Sequence, residues 1–214
     1  MKSILFWLIF IALAPFACDG SVTTKIFLVR SAERVDFTES DWTTQAYNPY
    51  DPHLSRLGFA QATKLGKHLR SAKISKVYAS PFLRTIQTAQ YITDILEGIY
   101  DVLPEPGLCE FLNPAWFPEA ENLTETLWAP TDFTSVVCEM TDEKYAPMED
   151  PLVPEDVHML WSRASRVLSR LVVRHPGESI VVVTHAMVID AMLRCAFGRS
   201  YLTLLAAAPG PEAS

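Results

Sequence analysis

The sequence predicts an α/β fold in which helices flank a mostly parallel central sheet. Two observations carry this prediction. Short apolar runs at 26–29 and 179–183, with a third strand-like run at 74–79, are typical of strands buried on both faces of a parallel sheet. An amphipathic segment with apolar residues at helical spacing comes after each run, and strands that alternate with helices in this way indicate parallel βαβ units.

The N-terminal segment Met1–Gly20 has the features of a secretory signal peptide. Lys2 supplies its positive charge, the stretch Ile4–Ala17 is apolar, and small residues at its end favour cleavage before Ser21. The apolar stretch is shorter than the roughly 20 residues that a membrane-spanning helix needs. We therefore expect a secreted mature chain, residues 21–214, that forms a single domain without a membrane span.

Composition narrows the range of partners. Asp and Glu outnumber Lys and Arg by 25 to 18, so the formal net charge is −7, which disfavours general binding to nucleic acids or anionic membranes.

The mature chain would hold three cysteines: Cys109, Cys138 and Cys195. Because this number is odd, at least one thiol is left unpaired or forms an intermolecular bridge. Their spacing is not that of metal ligands. The sequon at Asn122 predicts a glycan, in agreement with secretion.

The helices and the remaining extended segment follow from caps, apolar stripes and helix breakers. Ser55 is suited to cap a helix that runs from Arg56 to about Ser71, and Gly98 ends a second helix that begins near Phe82. Further predicted elements are a short extended segment, a long amphipathic helix and a last helix: 101–103, 154–174, 187–197.

An irregular acidic insertion lies at about 111–153, with several prolines and no clean period. One interpretation is an irregular insertion at the surface. The alternative is a cover that faces the substrate, because long loops within compact domains often serve as lids or binding loops. An acidic cover would disfavour highly anionic substrates.

Basic side chains come after the predicted strands. Arg30 and Arg34 follow the first strand, Arg84 follows the second and His185 follows the last. Ligands of open parallel sheets bind beyond the carboxyl ends of the strands, and a guanidinium presents a fixed fork of donors suited to phosphate oxygens. The four residues together predict an anion-binding site, although each alone could be an ordinary solvated or hydrogen-bonded side chain.

Four motifs resemble those of a known family: Glu33–Asp36 (ERVD), Ser80–Ala89 (SPFLRTIQTA), Glu105–Glu110 (EPGLCE) and Pro114–Pro118 (PAWFP). With these motifs, the chain from Lys25 to about Gly198 resembles the histidine phosphatase superfamily, which has the phosphoglycerate-mutase-like fold. The resemblance is greatest to the branch that comprises the suppressors of T-cell receptor signalling and the ecdysteroid-phosphate phosphatases.

The resemblance implies a role for each candidate residue. The phosphoryl group would lie between four basic side chains, whose charges stabilise the transition state: Arg30, Arg34, Arg84, His185. Glu110 matches the family's acid, which protonates the leaving oxygen. The implied ligand is a phosphorylated small molecule or a phosphoprotein, or else the pocket serves a protein partner. No metal or cofactor is implied.

The sequence departs from the family motif at its centre. The family has Arg-His-Gly after the first strand, with the histidine as nucleophile, whereas this chain has Arg30-Ser31-Ala32. Serine is a weak nucleophile without a base, and the cationic His185 that we expect among the arginines would not act as one. A neutral His185 could serve as a base, but one phosphate-binding charge would then be lost. Ala32 also adds a Cβ where the family keeps glycine for close backbone approach.

The C-terminus is a second departure. The family usually continues past the last helix into a further strand, but here Tyr201–Ala208 is followed by Pro209-Gly210-Pro211 near the end of the sequence. We therefore expect a shortened C-terminus with an absent or abbreviated edge strand. Two functions remain in view: a secreted, catalytically impaired protein that keeps an anion-binding pocket or, alternatively, an active phosphomonoesterase.

Overall fold

A computed structural model describes residues 23–46, 48–98, 101–117 and 146–198, together with the backbone of 8–13. Its strands are β1 (Leu8–Leu13), β2 (Thr24–Arg30), β3 (Ile74–Ala79), β4 (Val102–Pro104) and β5 (Ser179–Thr184). Its α-helices are α1 (Trp42–Gln45), α2 (Arg56–Leu69), α3 (Leu83–Thr93), α4 (Val157–Arg174) and α5 (Ala186–Phe197).

The described strands form one sheet in the order β1-β2-β5-β3-β4. Strands β2, β5, β3 and β4 run parallel, and β1 lies antiparallel at the edge beside β2. This arrangement confirms the predicted mostly parallel sheet flanked by helices. The register pairs Arg30 with Thr184 and Ala79 with Val183, so the carboxyl ends of β2, β5 and β3 lie level with one another.

Helices cover both faces of this sheet. On one face, Ile180 and Val182 of the central strand β5 pack with buried residues of α4 and α5. On the other face, Val181 and Val183 pack with buried residues of α2 and α3. All four side chains are fully buried, and each such burial contributes about 1.5–3 kcal/mol relative to exposure. The apolar run at 179–183 is therefore the central strand because both of its faces need cover.

Helix α2 positions the loop that follows β2. Ser55 caps the helix, as predicted, since its hydroxyl accepts a hydrogen bond from the Gly58 N–H at 3.0 Å. A Cβ on Gly58 would lie 2.2 Å from the carbonyl oxygen of Glu33, so glycine is what lets the helix approach the loop this closely. The Glu33 N–H also donates to Gln61 Oε1 at 2.9 Å, which ties the loop to the helix a second time.

Strand β1 lies within the segment predicted to be a signal peptide. It pairs with β2 from Leu8 opposite Val29 to Leu13 opposite Thr24. This strand was not predicted, because an apolar run of this length suits a signal peptide as well as an edge strand, and only the pairing with β2 selects the strand here. Cleavage before Ser21 and secretion remain predictions.

Several predicted features fall outside the described residues: Asn122, Cys138, 118–145 and 199–214. The two ends of the acidic insertion are described, and they carry buried side chains: Phe111, Leu112, Phe117, Met148. These ends are therefore anchored in the core rather than lying wholly at the surface, and the interpretation of the insertion as a cover stays a prediction. No described helix is both long enough and apolar enough to cross a bilayer.

Candidate anion-binding site

The candidate site lies where β2, β5 and β3 end. Ser31 follows β2 and donates its N–H to the Thr184 carbonyl at 3.0 Å, and Ser80 follows β3 and donates its N–H to the Val183 carbonyl at 2.9 Å. These bonds continue the sheet by one residue on either side of β5. They hold both loops beside His185, which directly follows β5. Backbone pairing therefore brings three chain segments together at this edge of the sheet.

His185 is the buried centre of the site. Its Nε2 lies 2.8 Å from Ser80 Oγ, and its Nδ1 lies 3.3 Å from both Glu110 Oε2 and Arg84 Nη2. The Phe82 ring packs edge-on against the imidazole, with the ring centroids 5.0 Å apart. Both imidazole nitrogens therefore have protein partners whichever tautomer is present, and the ring is held in one orientation.

Burial lowers the pKa of His185 to about 4, because the charged imidazolium loses its hydration. The Glu110 carboxylate opposes this lowering of the pKa, and the charge of Arg84 adds to it. His185 is consequently neutral near pH 7 in the unliganded site. This differs from the cationic His185 that we expected from the sequence, because the expectation left out the cost of burying the charge.

Glu110 lies against both His185 and Arg84. Its Oε2 is 3.3 Å from His185 Nδ1 and 3.7 Å from Arg84 Nη2, and its Oε1 accepts the Phe111 N–H at 3.1 Å. Burial raises the pKa of this carboxyl, but His185 and Arg84 outweigh burial and bring the pKa to about 2. Since His185 is neutral near pH 7, Arg84 is the charge that keeps Glu110 ionised there. To protonate a leaving oxygen, Glu110 must first gain a proton, and a bound anion would favour that gain.

Arg84 is held between two carboxylates. It is almost wholly buried, its Nη1 lies 3.4 Å from Asp51 Oδ1 and its Nη2 lies 3.7 Å from Glu110 Oε2. Its guanidinium stacks over the Phe82 ring, 4.3 Å from the centroid. Asp51 also accepts the Leu83 N–H at 2.9 Å, and burial raises the pKa of Asp51 to about 6 against the opposing effect of Arg84. An incoming anion must therefore compete with two carboxylates for Arg84.

Arg34 lies at the rim of this cluster. Its Nε donates to Asp36 Oδ1 at 2.9 Å, and its guanidinium lies over the exposed Phe37 ring, 4.6 Å from the centroid. The charge of Arg34 adds to the effect of burial in lowering the pKa of Arg84. It also opposes the effect of burial that raises the pKa of Asp51. Arg34 therefore contributes positive charge to the pocket while it stays paired with Asp36.

The side chains of two predicted residues form no hydrogen bond or ion pair with this cluster. Arg30 is exposed at the end of β2, and its guanidinium forms no hydrogen bond or ion pair with another described residue. Ser31 is half-buried, and its hydroxyl likewise has no hydrogen-bond partner among the described residues. The structure therefore brings Arg84, Glu110 and His185 into contact, whereas Arg30 and the Ser31 hydroxyl form no hydrogen bond or ion pair with these three side chains.

Ala32 fits the loop without crowding it. Its N–H donates to Thr88 Oγ1 at 3.0 Å, and its side chain is buried in a small apolar cluster with Leu54 and Ala62. The additional Cβ thus has an apolar place of its own.

Three residues that shape the site were not predicted: Ser80, Asp51, Arg163. Ser80 begins one of the four family motifs, but no local sequence pattern indicates that its hydroxyl bonds to His185. Asp51 belongs to a polar segment without periodicity. Arg163 did leave a signal in the sequence, because it is a charged residue within the apolar stripe of α4. The structure shows that its side chain is buried there.

No cluster of three or more His, Cys, Asp or Glu side chains suited to a metal ion lies in the described parts of the chain. Cys109 and Cys195 are free thiols. Cys109 is fully buried, and burial raises the pKa of its thiol far above the usual range, which makes it a poor nucleophile.

A sequence model of the histidine phosphatase superfamily (branch 1) matches residues 26–209. Two curated relatives are each 27% identical to this chain: the ecdysteroid-phosphate phosphatase of Drosophila melanogaster over 86% of the chain, and the ubiquitin-associated and SH3 domain-containing protein B of Homo sapiens over 66%. The chain spans 28% and 22% of the length of these two relatives. The crystal structure of the ecdysone phosphate phosphatase from Bombix mori in complex with tungstate superposes with a TM-score of 0.60 at 23% identity, covering 79% of this chain and 76% of that chain. This superposition shows a shared fold.

Proposed function

The chain belongs to the histidine phosphatase superfamily, as its motifs predicted, and from this premise we propose that it binds a phosphorylated ligand without ordinary turnover. The ligand is a phosphorylated small molecule or a phosphoprotein. Its phosphoryl group would lie between Arg30, Arg34, Arg84 and His185, with Glu110 placed as the acid for the leaving oxygen. Turnover is impaired because Ser31 stands where the family has its nucleophilic histidine.

One observation supports the impaired turnover: among the described residues, no side chain accepts a hydrogen bond from the Ser31 hydroxyl. Both ring nitrogens of His185 are taken up by Ser80, Glu110 and Arg84. A serine hydroxyl without a group to accept its proton is a weak nucleophile. Removal of the covalent nucleophile from a site that acts as a unit usually costs several orders of magnitude in rate.

The buried guanidinium of Arg84 supports retained anion binding. It is fixed by its stacking on Phe82 and by two carboxylates, so it loses little freedom when an anion replaces one of them. The competition from Asp51 and Glu110 keeps the affinity modest, and we expect dissociation constants in the millimolar range, about −4 kcal/mol.

The same cluster supports one alternative, an active phosphomonoesterase. In that reaction water would attack phosphorus, the bond to the leaving oxygen would break, and the leaving oxygen would take a proton from Glu110. The arrangement of Arg84, Glu110 and His185 favours this alternative, as does the phosphatase activity stated in the name of the Drosophila melanogaster relative. This alternative requires that the reaction proceeds with a nucleophile other than a histidine at position 31.

Secretion is also part of the proposal. The charged start, the apolar stretch and the small residues of Met1–Gly20 support it, and the sequon at Asn122 agrees with it.

Two measurements on one preparation of the purified protein test the proposed function: calorimetric titration with sulfate, and hydrolysis of an aryl phosphate. We expect Arg84→Ala to weaken sulfate binding about tenfold or more, because a charge-assisted hydrogen bond is lost. We expect neither wild type nor Ser31→Ala to hydrolyse the aryl phosphate faster than buffer alone. Equal sulfate affinity in wild type and Arg84→Ala would exclude this pocket as the anion site. Robust wild-type hydrolysis would establish the alternative: its loss in Ser31→Ala would make Ser31 the nucleophile, and its retention there would make water the nucleophile.

A further inference from the structure

Arg163 of α4 holds the loop that carries Glu110. Its Nη1 donates to the Gly107 carbonyl at 2.8 Å and to the Cys109 carbonyl at 2.9 Å, and its Nη2 donates to the Glu110 carbonyl at 3.2 Å. These carbonyls belong to a loop and a short 3-10 turn, so no helix or strand ladder supplies their partners. A buried side chain supplies them instead.

Thr184, the last residue of β5, completes this set. Its Oγ1 donates to the Leu108 carbonyl at 2.6 Å. All four consecutive carbonyls from residue 107 to residue 110 therefore accept hydrogen bonds from buried side chains of α4 and β5. The loop is fixed to the same framework that ends at His185.

A buried ion pair anchors the guanidinium of Arg163. Its Nε and Nη2 each donate to the Glu155 carboxylate at 2.7 Å, and both side chains are almost wholly buried. Glu155 Oε2 also accepts the Leu112 N–H at 3.3 Å. Arg163 thus uses all five of its N–H donors, and the pair holds the loop on both sides of Glu110.

Stability alone does not account for such a pair. Taking two charges out of water is costly, and apolar residues of similar volume often give equal or greater stability. What the pair supplies here is geometry. A guanidinium has a planar, fixed fork of donors, so it sets the positions of the three carbonyls that it contacts.

We infer that Arg163 is a positioning residue which, together with Glu155, fixes the loop so that the Glu110 carboxylate stays against His185 and Arg84. The inference rests on the proposed function, since it concerns the same pocket. The tolerance is small: Glu110 Oε2 already lies 3.3 Å from His185 and 3.7 Å from Arg84. A loop shift of about 1 Å would remove the contact with His185.

Four variants, and the combination of two of them, test this inference. Arg163→Lys keeps a charge beside Glu155 but loses the five-donor fork, so it loosens the loop with the least disturbance of the fold. Arg163→Met combined with Glu155→Leu removes both charges and is a second way to release the loop while the core stays filled. Glu110→Gln shows the effect of losing the carboxylate itself. Arg194→Lys changes an exposed ion pair with Asp190 on α5 and is the matched control.

The readout is the ratio of the sulfate dissociation constants at pH 7.5 and pH 5.0. Sulfate remains a dianion over this range, and Glu110 favours protonation of His185 when the anion binds. We expect wild type and Arg194→Lys to share one ratio. In Glu110→Gln and in Arg163→Lys the ratio should be at least about threefold lower than in wild type. Combining the two changes should lower the ratio no further, because both act through the contact between Glu110 and His185. The double variant of Arg163 and Glu155 should behave like Arg163→Lys.

An unchanged ratio in Arg163→Lys and in the double variant, with only a lower melting temperature, would show a structural role and overturn the inference. Absence of sulfate binding by wild type would instead contradict the proposed function. In that case a carbon-13 NMR titration of the Glu110 carboxyl decides the inference. Its pKa should rise from about 2 toward the ordinary value when Arg163→Lys releases the loop. If the pKa of Glu110 in Arg163→Lys equals that in wild type, the inference is overturned, and this result does not depend on any ligand.

Discussion

Lowering the pH from 7.5 to 5.0 should strengthen sulfate binding, because a bound dianion favours the charged form of His185. In the unliganded site, burial together with the charges of Arg84 and Arg163 lowers the pKa of His185 to about 4, against the opposing effect of Glu110. A dianion within the pocket adds negative charge and offsets the cost of burial. We take the pKa of His185 in the complex to be the ordinary value of about 6.5.

The direction follows from these two values. A pKa that is higher in the complex than in the free protein means that binding takes up a proton, so the affinity rises as the pH falls through about 6.5. The gain levels off below about 4, where both states are protonated. Between pH 7.5 and pH 5.0, protonation of His185 alone should lower the dissociation constant about 30-fold, which is about 2 kcal/mol.

Asp51 acts in the same direction. Its pKa is about 6, so it loses its charge over this range and ceases to compete with the anion for Arg84. Asp51→Asn removes that contribution and leaves the contribution of His185. The remaining pH dependence in Asp51→Asn therefore measures His185 alone.

Calorimetry in two buffers of different ionisation enthalpy gives both the dissociation constant and the number of protons taken up. His185→Gln cannot take up the proton, so its dissociation constant should change by no more than the contribution of Asp51. A wild-type dissociation constant that is the same at pH 7.5 and pH 5.0, with no proton uptake, would refute the reasoning.

Three other changes test different parts of the molecule. Ser31→His should give measurable hydrolysis of an aryl phosphate, with phosphate trapped on residue 31, because the arginines and Glu110 remain; a folded variant without turnover would locate the defect elsewhere. Gly58→Ala should lower the free energy of unfolding in urea by about 1–3 kcal/mol, because its Cβ would meet the Glu33 carbonyl oxygen, and an unchanged value would mean that the loop moves aside. Protein collected from the medium of eukaryotic cells should begin near Ser21 on N-terminal sequencing, whereas cytosolic material that retains Met1 would contradict secretion.

The buried strands could be predicted because a continuous apolar run within each strand indicates burial on both faces of the sheet. The run at 179–183 became β5 with one further residue, and the runs at 26–29 and 74–79 became β2 and β3. A strand that is apolar on both faces needs cover on both faces, whichever helices supply it.

Helix boundaries were harder to predict because they depend on competing caps. Helix α4 begins at Val157 rather than at Pro154, since the Asp156 carboxylate accepts the N–H groups of His158 and Met159. A proline near a helix start and an aspartate two residues later are both start signals, and only the observed hydrogen bonds choose between them.

The basic residues of the site could be predicted from strand ends, and Glu110 from its motif, but their partners could not. Asp51 lies 33 positions from Arg84, and Arg163 lies 53 positions from the Glu110 carbonyl that it holds. No local periodicity joins residues so far apart. Their contacts result from how the loops and α4 pack onto the ends of the sheet.

The edge position of β1 has a consequence for a chain that has lost Met1–Gly20. Without β1, β2 becomes the outer strand, and the N–H and C=O groups that β1 had paired are left open. An uncovered strand with apolar residues is a template to which another chain can add by strand pairing. Processing would therefore move the open edge of the sheet from β1 to β2, and a strand from another chain could then pair with β2 in the place that β1 had held.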